Sequence, residues 1–210
     1  MIGSLVKAYC AAQTDIEGNA VSDDGEFDKI VKLIVADGEA YDAMDTKDES
    51  SPNVEGGTTQ VTIQSLIALP EMQESFSSED DRHRHRAALL LAEILNEKGY
   101  NLSLKPAVVH LFVVFFCHRL ADYPSLIPCL QALTALVTYN GDNLHARFDD
   151  LTHILQQICK EVEVQSMAQS IRYKVFVLLD QVLDLLDSDT IAGSVTDPDQ
   201  LFLGMYDLDL

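Results

Sequence analysis

Between residues 59 and 187 apolar side chains return every three or four positions, segment after segment, and no stretch of comparable length alternates apolar with polar. A period near 3.6 is that of an α-helix buried along one stripe, whereas a half-buried strand needs a period of two. Val61–Leu69 is apolar at this spacing and is predicted to be a helix ended by Pro70. Arg84–Lys98 places Ala87, Leu90, Leu91, Ile94 and Leu95 on one face, with Arg86, Glu93 and Glu97 directed elsewhere. A third helix runs from Pro106 to about Leu120 and is apolar almost all round, so it is expected to sit centrally. Phe148–Val162 and Ile171–Leu186 carry two more stripes, through Leu151, Leu155 and Ile158 and through Val175, Leu178 and Val182.

The fourth helix is placed by proline chemistry. Pro128 has no N–H, so it fits where helical donors have no intrahelical partner, in the first turn. A start near Ser125 follows, with Asp122–Pro124 as the elbow and Leu126, Leu130, Leu133 and Val137 as the stripe.

Six helices joined by short connections suggest three antiparallel pairs. Their first members start near Gln60, Pro106 and Arg147, a spacing of about 46 and then 41 residues, within the range of about 40–47 for HEAT repeats. The fold expected is therefore an all-α, HEAT-repeat-type α-solenoid of stacked helix pairs over residues 59–187. Arginines early in the second helices, in Asp80–Ala87 and at Arg172, are expected to bond an acidic joint residue of a neighbouring pair and so build a ladder. Asp122 is the acidic member of the middle joint, and Pro128 stands where that repeat's own arginine would be, interrupting the ladder. An unrelated six-helix bundle is the alternative.

Outside the repeats, Leu5–Ala12 and Phe27–Ala36 read as helices of an N-terminal part, residues 1–36, the second with Phe27, Ile30, Val31, Ile34 and Val35 at helical spacing. Residues 37–58 are acidic, contain Ser-Ser-Pro and Gly-Gly, and read as a solvated loop or insertion. Residues 188–210 read as a truncated or flexible end.

Charge narrows the partners. The chain carries 14 Lys and Arg against 34 Asp and Glu, a net charge of −20, of which Met1–Asp81 holds −14. Such a chain repels a phosphate backbone and an anionic membrane alike, so direct nucleic-acid and membrane binding are not expected. The longest apolar run, Ala107–Cys117, is too short to span a bilayer. No signal peptide is visible, and the four cysteines, Cys10, Cys117, Cys129 and Cys159, are widely spaced, form no C-x-x-C pair and lie in apolar sequence. They are expected to be buried hydrophobes of a reducing compartment.

No residues assemble into catalytic chemistry. His83 and His85 alternate with Arg82, Arg84 and Arg86, whose charge opposes a divalent metal, so the stretch reads as a solvated basic turn. Cys117 and His118 diverge by about 100° on a helix, and His153 and Cys159 are likewise on different faces. Phosphate-loop, nucleophile-elbow and metalloprotease motifs are absent, as is Trp, and few aromatics are expected at the surface. No enzyme, cofactor or metal site is expected, and partner-binding residues are left unassigned.

Two stretches are more specific than the repeat. In Val108–Leu136 an apolar helix is followed by Arg119-Leu120-x-Asp122, then Pro128 and Leu133. In Glu161–Arg172 the residues Gln165, Ser166, Gln169 and Arg172 stand out. Both resemble the MMS-nineteen family, large DNA-repair and transcription proteins named for methyl methanesulfonate sensitivity. The resemblance covers residues 59–186 well and 1–36 loosely. It makes 37–57 an insertion, Phe202–Tyr206 the start of a further family segment, and the whole an N-terminal portion of a longer protein. It implies a scaffold of the cytosolic iron–sulfur assembly targeting complex, in nucleus and cytoplasm. Its implied partners are cytosolic iron–sulfur assembly proteins and apo-proteins of repair, replication and transcription. The family's contacts to assembly partners lie largely in C-terminal repeats. A generic HEAT or armadillo scaffold, of phosphatase-regulatory or transport-receptor type, is the other reading.

Overall fold

In the computed structural model, residues 1–12, 25–35, 61–98 and 104–187 are described; the predicted loop 37–58 and the end 188–210 lie outside them. The described chain is an α-solenoid. Helix α1 spans Ile2–Ala11 and α2 Gly25–Leu33, followed by a short extended segment β1, Ile34–Val35, paired in parallel with β2, Val61–Thr62. Then come α3, Ile63–Ile67; α4, Pro70–Phe76; α5, Asp81–Lys98; α6, Pro106–Cys117; and α7, Tyr123–Tyr139. Helices α8, Gly141–His145, α9, Phe148–Glu161, and α10, Gln169–Asp187, complete the order.

The second helices α5, α7 and α10 pack side by side in one layer, and α4, α6 and α9 form the other. The α4–α6 contact is aromatic, with Phe76 edge-on to Phe115 at 5.0 Å between ring centroids. Helix α1 lies against both α4 and α5, so the N-terminal helices extend the stack. A single apolar core runs from Val6 and Tyr9 through Leu91, Phe112 and Leu133 to Leu178 and Val182, all fully buried.

Several boundaries differ from the sequence expectation, each for a local reason. Ile34 and Val35 leave the helix and pair with Val61 and Thr62; three of the four side chains are Ile or Val and the fourth is Thr, all stiff at χ1 and suited to a pleated backbone. The expected helix Val61–Leu69 is shorter, α3, capped by the Thr62 hydroxyl accepting from the Ser65 N–H at 3.2 Å. Pro70 ends it but also opens α4 at a first-turn position, where a missing N–H costs nothing, so the first member of the first pair is two short helices. Helix α6 stops at Cys117, with Leu120 buried in the joint. It also exposes Leu111; the most enclosed helix is α7, whose buried residues, among them Leu126, Cys129, Leu130 and Ala132, surround its axis.

Helix α7 also starts earlier than expected. Asp122 is its N-cap residue, Pro124 takes the first turn, and Pro128 falls inside the helix. A proline there cannot donate to the carbonyl four residues back. That carbonyl, Pro124 O, instead accepts from the His85 Nδ1–H of α5 at 2.9 Å. The imidazole of the preceding pair therefore makes the bond that the helix itself cannot.

Candidate partner-binding surface

Polar side chains bind successive pairs at their joints. Arg84, early in α5, points its Nε at Asp122 Oδ2, 3.2 Å away, while its Nη1 donates to Ser78 O at 2.7 Å. Asp122 also accepts from Ser125 Oγ at 2.6 Å. Asp122 holds the Arg84 guanidinium above its usual pKa, with burial opposing. One rung of the expected ladder is thus present. The Arg172 rung is not: Arg172 is exposed and its guanidinium bonds no other described residue, because its helix directs Ile171 and Val175 inward and leaves position 172 outside.

The stretch Arg82–Arg86 is accordingly not a solvated turn throughout. Arg82 is solvated and pairs locally with Asp80, and His83 lies 3.4 Å from Ser78 Oγ. Arg84 and His85 reach the next joint, and Arg86, expected on a polar face, is 1% exposed. Its guanidinium lies 3.7 Å over the Tyr9 ring and its Nε donates to Tyr9 O at 3.2 Å; the Tyr9 hydroxyl donates to Glu93 at 2.7 Å. The face of α5 that carries Arg86 is covered by α1, which no periodicity in α5 announces.

A second buried rung ties α6 to α9. Asp150, 2% exposed, sits 2.6 Å from His110 Nδ1 and accepts from Arg147 Nε at 2.8 Å. The His153 Nε2 is buried without a partner among the described residues. No group of three or more metal-ligating side chains occurs there either.

Three thiols are buried and the fourth is not: Cys159, expected inside, is exposed. Burial pushes the Cys117 thiol up to about 12, with Asp150 adding to it. Burial raises Cys129 further, with Arg119 opposing, and Asp122 and the neighbouring Cys117 adding. A thiol held protonated in the fold ionises first in the unfolded chain, so its burial stabilises below about pH 9 and that contribution is lost as pH rises toward 12. At about pH 8 iodoacetamide is expected to modify Cys159 in minutes and to leave Cys10, Cys117 and Cys129 intact until denaturant is added. Mass spectrometry reads the sites, and equal labelling of Cys117 and Cys159 would contradict this burial.

The surface able to receive another molecule lies on the second-helix layer. A groove of about 730 Å³ is lined by Asn96 of α5, Gln131 and Thr134 of α7, and Gln169, Tyr173 and Lys174 of α10. Asn96 also lines an adjoining hollow of about 480 Å³ with Phe27, Glu93 and Glu97. Tyr173 is 70% exposed and Phe176, three positions further on, 58%; Tyr123 is exposed as well, so surface aromatics are more numerous than expected. Sequence reasoning assigned no partner residue. Isolated amides on a helix surface carry no periodic signal, and only the stacking of three helices brings them together.

The residues that carry the resemblance divide in two. Leu120 and Leu133 are core, Asp122 and Pro128 organise the joint, and Arg119 stacks over Phe115 at 3.8 Å and Phe76 at 4.5 Å. Gln165, Ser166, Gln169 and Arg172 are all exposed, and Gln169 lies in the groove. No helix among the described residues is long and apolar enough to cross a membrane.

A family model described as Dos2-interacting transcription regulator of RNA-Pol-II, the N-terminal MMS19 type, matches residues 69–202. No curated protein and no solved structure matches the chain.

Proposed function

The chain belongs to the N-terminal MMS19 family, and on that premise we propose that it is a non-enzymatic scaffold of cytosolic iron–sulfur assembly. Its proposed work, in nucleus and cytoplasm, is to hold assembly proteins and apo-proteins of DNA repair, replication and transcription near one another. The observation that carries the reading is the groove across α5, α7 and α10, together with the exposed family-like residue Gln169 in its lining. A stack of repeats supplies a long, fixed surface for holding other chains. The three buried thiols, two of them with strongly raised pKa, are poor sources of the thiolates that an iron–sulfur cluster requires.

Affinity purification of the tagged chain is expected to retain iron–sulfur assembly proteins. Anaerobic reconstitution followed by iron analysis and visible absorption is expected to leave no stoichiometric cluster on the chain. A stoichiometric cluster lost in Cys117→Ser and Cys159→Ser would make it a carrier and end the scaffold reading. Recovery of phosphatase or transport-receptor complexes instead would favour a generic HEAT scaffold.

A further inference from the structure

The geometry points to an extended, basic peptide segment as the occupant of the groove across α5, α7 and α10. This deepens the scaffold reading and rests on it. Asn96, Gln131 and Gln169 come from the three neighbouring second helices, line one groove, and their side-chain amides make no hydrogen bond to another described residue. Each primary amide offers two donors and an acceptor, matching the N–H and C=O that an extended main chain presents. Packed helices lie about 8–10 Å apart, and an extended chain advances about 3.3–3.6 Å per residue, so the amides fall at roughly every third residue of such a chain.

The alternatives fit less well. An amphipathic helix needs a continuous apolar trough, and here the apolar surface of Tyr173, Val177 and the side-chain stems is interrupted by amides from three helices. A nucleic acid would bring phosphates against Glu93 and Glu97 at the α5 end. The exposed Glu97 favours lysine or arginine on the occupant, as does the net charge of −20, while Glu93 is already engaged by the Tyr9 hydroxyl. Phe27, beside them, offers a ring face to the stem or head of such a side chain. Lys174 marks the opposite end, on α10, and favours an acidic residue or a carboxyl terminus there.

The test uses the full chain and three fluorescein-labelled dodecapeptides: four repeats of Gly-Lys-Ser, four of Gly-Glu-Ser, and four of Gly-Gln-Ser. Fluorescence anisotropy is expected to show the lysine peptide binding at least tenfold more tightly than the glutamate peptide, the difference shrinking with added salt. Gln131→Ala with Gln169→Ala is expected to weaken the lysine peptide about tenfold, and Glu97→Gln several-fold, with circular dichroism unchanged because Glu97 and Gln169 are exposed and Gln131 is half-buried. Failure of the lysine peptide to bind, equal binding of the glutamate peptide, or indifference to the double substitution would overturn the proposal. Retention of iron–sulfur assembly proteins by the doubly substituted chain would then show that the scaffold reading survives without this groove.

Discussion

Arg86→Ala is expected to destabilise the chain by about 3–5 kcal/mol, the effect of removing a buried, fully engaged cation. The side chain is 1% exposed and fills the space between α1 and α5, where its guanidinium covers the Tyr9 ring and donates to Tyr9 O. Its loss leaves a cavity and takes a donor from a buried carbonyl. Arg172→Ala, on an exposed position of α10, is expected to stay within about 0.5 kcal/mol of neutral. Urea unfolding followed by circular dichroism gives both values. Equal effects would mean that α1 does not seat on α5 as described.

The second large effect concerns Asp150, and its order is the test. Arg147→Ala is expected to cost about 2–4 kcal/mol, because it strands a carboxylate whose side chain is 3% exposed with the His110 imidazole as its remaining side-chain hydrogen-bond partner. Asp150→Ala is expected to cost less. It leaves Arg147 and His110, 39% and 44% exposed, which water can solvate. The reverse order, measured by the same unfolding, would show that the carboxylate is far more accessible than this packing allows.

These two clusters mark the limit of what the sequence discloses. The stripes through Leu90 and Leu91, Leu151 and Ile158, and Val175 and Val182 are legible because a helix buried on one side repeats its apolar residues every 3.6 positions, and all six are buried. The family match was legible too, in residues such as Asp122 and Gln169 whose order no helical period requires. What the period does not encode is which polar face a neighbour will cover. Arg86 and Arg172 look alike in sequence, each polar beside an apolar stripe, yet α1 buries one and nothing described covers the other. Pro70 and Pro128 misled for a related reason. Proline states that a donor is missing, but not whether the orphaned acceptor goes to solvent, to a new helix start or to a partner from elsewhere. The groove amides Asn96, Gln131 and Gln169 stand 35 and 38 residues apart along the chain and become one site only when three helices stack.

The hand-over of Pro124 O to His85 changes what counts as one cooperative unit. In a stack coupled by side-chain packing alone, each hairpin satisfies its own backbone, and stability is close to a sum of unit and interface contributions. Here a main-chain carbonyl of the α6–α7 hairpin depends on an imidazole of the hairpin before it. Cutting the chain between α5 and α6 would remove that donor at the point where Pro128 already denies one. The smallest autonomous folding unit therefore straddles the repeat boundary, and in native-state hydrogen exchange α5 and α7 should open together although they belong to different sequence repeats.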